Sequence, residues 1–156
     1  MPSVPRATGV PTDIPPVTPG LYYDDPGAAL EWLEKAFGFK TRLKVTDGAG
    51  NVIHAETTCG AGVIQVSPTG DLRKSPRALG GACTQGVCIY VPDVDAVYAR
   101  ARAAGAPLWI DISDRDYGDR GFGVLDCEGH TWWFASRVDQ ARWDESVKDY
   151  GVASAE

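Results

Sequence analysis

The feature that most constrains this chain is that it repeats itself. A shift of 68 residues lays Leu21-Tyr22-Tyr23 on Ile89-Tyr90-Val91, Asp25 on Asp93, Cys59 on Cys127 and Ile64-Gln65-Val66 on Trp132-Trp133-Phe134, with a one-residue slip at the helix ends. One constant offset that aligns both the first and the last strands points to a module used twice. Each copy reads as strand, helix and three strands, a βαβββ unit.

In the first copy "VTPGLYYD" reads as a strand, and Asp25 caps a helix that has Pro26 at its first position. Leu30, Leu33 and Phe37 recur at helical spacing, and Gly38 ends the run. Three strands follow, "FKTRLKV", "NVIHAETT" and "GVIQVS", separated by the turn signals "DGAGN" and "CGAG". A connector rich in Pro, Gly and basic residues spans 68–82, after which the order recurs. "GVCIYVPD" is a strand, Asp93 a cap, and Val94, Val97, Tyr98, Ala101 and Ala104 form a helical stripe that Gly105 stops. "PLWIDIS", "GFGVLDC" and "HTWWFAS" complete the second copy. The fold class is therefore α+β, with repeats over about 17–67 and 85–136 inside one domain, 17–136.

Residues 1–16 hold five prolines and no apolar period, which predicts a disordered or extended leader. In the tail, 137–156, Trp143, Val147 and Tyr150 share one helical face, which predicts a short packing helix.

Charge and composition narrow the partners. A formal net charge of −6 repels nucleic acid and anionic membrane, leaving a small, neutral or cationic ligand as the better fit. No apolar run approaches the ~20 residues of a membrane span, and the N-terminus lacks the basic-then-apolar order of a signal peptide. A cytoplasmic location is expected. The four cysteines show no CxxC spacing and read as reduced thiols.

The stretches "GLYYDDPGAALEWLEKAFGF", "HAE", "CIYVPDVDAVYARARAAGA" and "YGDRGFGVLDCEGHTWWF" resemble the vicinal oxygen chelate superfamily, also called the glyoxalase/bleomycin resistance/dioxygenase superfamily. The resemblance implies two βαβββ modules whose curved mixed sheets surround a cavity, commonly in a homodimer. It also implies that metal-dependent members take a ligand from the first and last strand of each module, typically His and Glu. Those positions fall here on Thr18, Gln65, Gly86 and Trp133. Glycine has no side chain, indole only donates, and threonine with an amide is a weak pair, so the resemblance implies the fold without its chelate. No metal or other cofactor is expected.

Side chains alternate along a strand, so one fixed position fixes a face. If Gln65 and Trp133 face the cavity, as the family pattern implies, Gly20, Tyr22, Cys88 and Tyr90 do so too, while Leu21, Val87, Ile89, Val91, Trp132 and His130 face away. A turn centred on Gly60-Ala61 sets Thr58 opposite Val63 and Glu56 opposite Gln65, which brings His54, Glu56 and Gln65 to one wall. A one-residue slip would reverse this.

His54 with Glu56 forms a candidate catalytic pair for proton transfer, against the plainer role of a hydrogen-bonded wall residue. Glu56 and Asp111 offer negative charge to a cation, or are ordinary solvated carboxylates. His130, Tyr117, Asp119 and Arg120 read as turn residues. Tyr22, Tyr90 and Trp133, with Trp109 at the rim, predict an aromatic lining suited to a planar or cationic ligand. The candidate ligand-binding set is Tyr22, His54, Glu56, Gln65, Cys88, Tyr90, Trp109 and Trp133. Together they predict a metal-free protein that captures an aromatic or cationic small molecule, in the manner the resemblance to bleomycin-resistance-type members implies. The alternative is an enzyme on the same scaffold, a lyase, isomerase or biosynthetic catalyst, using His54 and Glu56 or a rearranged metal site.

Overall fold

Two aspartates start the two long helices in the same way. In the computed structural model, which describes residues 9–149, Asp25 Oδ1 accepts from the amide of Ala28 at 3.0 Å, and Asp93 Oδ1 from that of Ala96 at 3.0 Å. Each bond satisfies an amide that the first helical turn leaves unpaired. Helix α1 runs Pro26–Phe37 and α2 runs Val94–Ala103. α1 ends where Gly38 takes up the left-handed conformation, φ 75°, a region a side chain resists.

The strands are β1 (Gly20–Tyr23), β2 (Lys40–Thr46), β3 (Val52–Cys59), β4 (Gly62–Pro68), β5 (Gly86–Tyr90), β6 (Leu108–Asp114), β7 (Asp119–Leu125) and β8 (Thr131–Arg137). They make two four-stranded sheets, ordered β1-β4-β3-β2 and β5-β8-β7-β6. In each, the first strand runs parallel to the fourth and the other pairs are antiparallel. This is the α+β, twice-βαβββ arrangement that the repeat predicts. A short 3₁₀ turn, Pro76–Leu79, lies in the connector, and helix α3 spans Gln140–Asp149. The leader's residues 1–8, and Tyr150 with the rest of the tail, lie outside the described residues.

The offset of 68 survives in the pairing. Gly20 opposite Gln65 and Tyr22 opposite Ser67 in the first sheet repeat as Cys88 opposite Trp133 and Tyr90 opposite Ala135 in the second. The slip at the helix ends, however, does not heal at the next strand. Glu56 faces Gln65 and Gly123 faces Trp133, so β3 and β7 correspond at 67 residues, not 68. Helix α2 is shorter than α1, and the β7–β8 turn, Asp126–His130, is longer by one residue than its counterpart, which restores the offset. Cys127 sits in that turn, whereas Cys59 pairs with Gly62 at the end of its ladder, so the two cysteines are not equivalent.

Parity holds as expected. Leu21, Tyr23, Ala55, Ile64 and Val66 of the first sheet, and Phe122, Val124, Trp132 and Phe134 of the second, enter one shared core with Leu30, Leu33, Phe37 and Phe39. Phe37, on the first module's helix, meets Trp132 and Phe134 of the second module at ring centroid distances of 5.5 and 4.9 Å. Edge-on contacts of this kind suit the aromatic quadrupole.

A polar clasp completes the junction. Buried Asp126 accepts four hydrogen bonds: from Tyr23 Oη (2.6 Å), Trp132 Nε1 (3.0 Å) and the amides of Glu128 and His130 (both 3.0 Å). Glu128 accepts from the amides of Asp24 (2.8 Å) and Asp25 (3.0 Å), in the other module. His130, 6% exposed, lies 2.9 Å from the carbonyl of Tyr22 through Nε2. His130 is a turn residue as expected, and its turn, Asp126–His130, is buried and joins the two modules.

Candidate functional site

The sheet faces away from the helices carry different chemistry in the two modules, at equivalent positions. On the first, Arg42 sits at a bulge in β2 between Thr41 and Leu43, with Nε 2.7 Å from Glu56 Oε2. His54 Nε2 lies 3.7 Å from Glu56 Oε1, and His54 Nδ1 is 3.5 Å from Ser67 Oγ. The registers predicted from the turn, Glu56 opposite Gln65 and Thr58 opposite Val63, are those observed. His54, Glu56 and Gln65 therefore share a face, and the buried Glu56 is held by Arg42, a partner the sequence did not reveal.

On the second module, Gly121 and Gly123 stand where the first has His54 and Glu56, and Trp109 stands at a bulge between Leu108 and Ile110, in the place of Arg42. The space left by the two glycines is filled by indoles. A Cβ on Gly123 would come 2.3 Å from Cε2 of Trp109, and one on Gly121 would come 2.8 Å from Cζ2 of Trp133. Glycine within a strand marks this sort of close approach. The indoles lie 6.0 Å apart at 50°. Trp109, expected at a rim, is thus part of the floor and stays 49% exposed. The alternating glycines of "GFG" were the available signal.

Beside this floor, buried Asp119 pairs with Arg137 and accepts from Tyr90 Oη at 2.6 Å. That bond, ahead of desolvation, raises the Tyr90 phenol. Contrary to the expectation of a turn, Asp119 and Arg120 are strand residues of β7, because the ladder to β8 extends to Arg137. Trp143 of α3 covers Arg137, 4.0 Å from its Cζ, and meets Tyr117 at 6.2 Å, so the tail helix packs at the end of this face. Asp111 accepts from Tyr98 of α2 at 2.7 Å and lines neither cavity described below, which removes it from the charges offered to a ligand.

Two adjoining cavities run along β5. The larger, about 740 Å³, is lined by Thr18, Tyr22, Gln65, Gly86 and Cys88 among others. The smaller, about 310 Å³, shares Gly86 and Cys88 and adds Trp109 and Trp133. Of the expected ligand-binding residues, the groove thus brings together Tyr22, Gln65, Cys88, Trp109 and Trp133. His54 and Glu56 line neither cavity, and Tyr90 lines a third, about 390 Å³, with Val63 and Cys59. Burial, then Asp119, pushes the Cys88 thiol up, away from thiolate chemistry.

Thr18, Gln65, Gly86 and Trp133 surround one groove, but their side chains do not fit a divalent ion: Gly86 has none, and Trp133 offers only an N–H. Among the described residues no three His, Cys, Asp or Glu side chains gather as a metal-holding group.

A family model for the Glyoxalase/Bleomycin resistance protein/Dioxygenase superfamily matches residues 14–134. An uncharacterised protein of Mycobacterium bovis is 30% identical over 136 residues, covering 84% of this chain and 89% of that protein. The crystal structure of TioX from Micromonospora sp. ML1 superposes with a TM-score of 0.65 at 35% identity, over 77% of this chain and 94% of that one. Lactoylglutathione lyase from Agrobacterium tumefaciens shares the fold, with a TM-score of 0.56 at 23% identity over 81% and 94% of the two chains. No helix among the described residues is long and apolar enough to cross a membrane. With the repeat, the parallel first-to-fourth pairing and these matches in agreement, the chain belongs to the Glyoxalase/Bleomycin resistance protein/Dioxygenase superfamily.

Proposed function

We propose that this protein binds an aromatic or cationic small molecule in the groove along β5, by stacking and not through a metal. The observation that carries this reading is the indole pair: Trp109 and Trp133 lie on Gly123 and Gly121 with half of Trp109 left open to solvent. A large apolar ring kept exposed on a prepared support is poorly explained by packing alone. The donor set at Thr18, Gln65, Gly86 and Trp133 supports the metal-free part.

The test is quenching of tryptophan fluorescence by naphthalene-2-carboxamide, a neutral planar probe. Saturable binding that weakens about two- to twelvefold in Trp109→Ala is expected, as one stacking contact contributes about 0.5–1.5 kcal/mol. Equal affinity in the wild type and the variant would remove the indole floor from the site.

A second reading, an enzyme using His54 and Glu56, is favoured by their 3.7 Å approach within one wall. Once a turnover assay exists, loss of turnover in His54→Ala would support it, and unchanged turnover would dismiss it. We further place the protein in the cytoplasm as a homodimer. The four free thiols and the exposure of Leu43 and Val45 on β2, the edge of the first sheet, with Ile53 on the neighbouring β3, support this, and light scattering at micromolar concentration tests the dimer.

A further inference from the structure

Three of the four aromatic residues expected to face the ligand already hold a cation of the chain itself. Arg73 Cζ lies 5.0 Å from the ring of Tyr22, Arg115 Cζ lies 4.8 Å from Trp133, and Arg137 Cζ lies 5.8 Å from Tyr90. Within about 6 Å these are cation–π contacts, so a cationic ligand would compete with resident guanidinium groups for the same rings.

The carboxylates that could welcome a cation are committed or distant. Glu56 is paired with Arg42 and Asp119 with Arg137. No Asp or Glu lines the 740 Å³ or the 310 Å³ cavity, and a fourth cavity, of about 410 Å³, which shares Gly20, Tyr22 and Gln85 with the larger one, adds Arg73 and Lys74. Arg115 and Arg73 have no carboxylate within ion-pair distance among the described residues. Nε and Nη2 of Arg115 are buried against their surroundings with no hydrogen-bond partner. A buried donor without an acceptor is costly, more so on a charged group.

We infer that the ligand is a planar aromatic molecule bearing a carboxylate or similar anionic acceptor, and that the groove selects against cations. This rests on the stacking reading and narrows it: the aromatic part lies on Trp109, and the anionic part offsets the positive charge of Arg115, which covers the Trp133 ring, and of Arg73, which covers the Tyr22 ring and lines the adjoining cavity. It also reverses the expectation from net charge. A chain at −6 overall presents a locally positive groove, because its acidic residues lie elsewhere or are paired.

The experiment compares three naphthyl probes on the full-length protein: 2-naphthoate, naphthalene-2-carboxamide and 2-naphthylmethylammonium. Naphthoate should bind at least tenfold tighter than the ammonium probe. Arg115→Gln should reduce that preference about tenfold, the scale of one charge-assisted hydrogen bond. Arg73→Gln, on an exposed connector position, provides a second variant that leaves the core untouched, and it should reduce the preference in the same direction. Ammonium binding equal to or tighter than naphthoate, with carboxamide still bound, would overturn the anion inference and leave stacking intact. If no probe binds, the stacking reading fails and this inference falls with it.

Discussion

Trp109 lies on Gly123 in the second module where Arg42 lies on Glu56 in the first. The same two backbone sites, a β2-type bulge and its neighbour on the third strand, thus hold an ion pair in one copy and a ring on bare backbone in the other. The repeat preserves where side chains meet and changes what meets there.

Adding one methyl to either supporting glycine should have unequal effects. At Gly121 a Cβ would meet the carbonyl oxygen of Phe134 at 2.7 Å as well as Trp133, and backbone cannot swing aside. Gly121→Ala should cost about 1–3 kcal/mol, whereas Gly123→Ala displaces only the half-exposed Trp109 ring and should cost about 1 kcal/mol or less. Urea unfolding reads both, and a larger loss for Gly123→Ala would contradict the packing described.

The Asp126 clasp predicts an alkaline weakness. Burial, followed by the neighbouring Asp126 charge and its hydrogen bond, holds the Tyr23 phenol well above its ordinary 10.0. Burial, then Asp126, pushes the Cys127 thiol from 9.0 up to about 12. Both groups keep their protons longer folded than unfolded. Their contribution is therefore complete below pH 9, shrinks from pH 9 to about 12 for Cys127, and shrinks above pH 10 for Tyr23. Stability measured from pH 8 to 11 should fall in the wild type and fall less steeply in Tyr23→Phe. Parallel curves would show that Tyr23 does not titrate with unfolding.

Glu128 should matter more than an exposed turn carboxylate. It is 5% exposed and receives two amides from the start of the first module's helix, one of them a donor at 2.8 Å. Glu128→Ala leaves both amides without that acceptor and should cost about 2–3 kcal/mol, and Glu128→Gln about half of that, since its single carbonyl oxygen still accepts. Thermal melts of the two variants side by side check the order.

Arg137 neutralises a carboxylate that is 1% exposed. Arg137→Met should cost about 3 kcal/mol, because Asp119 then keeps only the Tyr90 hydroxyl. Removing the stranded charge as well, in Arg137→Met with Asp119→Leu, should recover much of the loss. A double variant as unstable as the sum of the two single ones would argue against the pairing.

Several parts of this structure could be read before folding. The caps at Asp25 and Asp93, the inward faces of β1, β4, β5 and β8, and the hairpin pairing of Glu56 with Gln65 follow from local rules: which oxygen reaches which amide, and a period of two along a strand. The repeat extended those rules over the whole chain. Asp119 shows where they stop, since nothing in "DYGDRGFG" says that a carboxylate entering a strand will be buried against Arg137 from a strand 18 positions on.

Sequence alone determined that this chain builds one module twice and which residues face the helices. Tertiary structure alone decided that β3 and β7 correspond one residue out of the main offset, and so that Gly121 and Gly123 replace His54 and Glu56. It also decided which arginine covers which ring and which carboxylates are left to a ligand. The reason is physical: alternation and capping act over a few neighbouring residues, whereas a ring settling on a glycine or a guanidinium on a ring depends on strands brought together from distant parts of the chain.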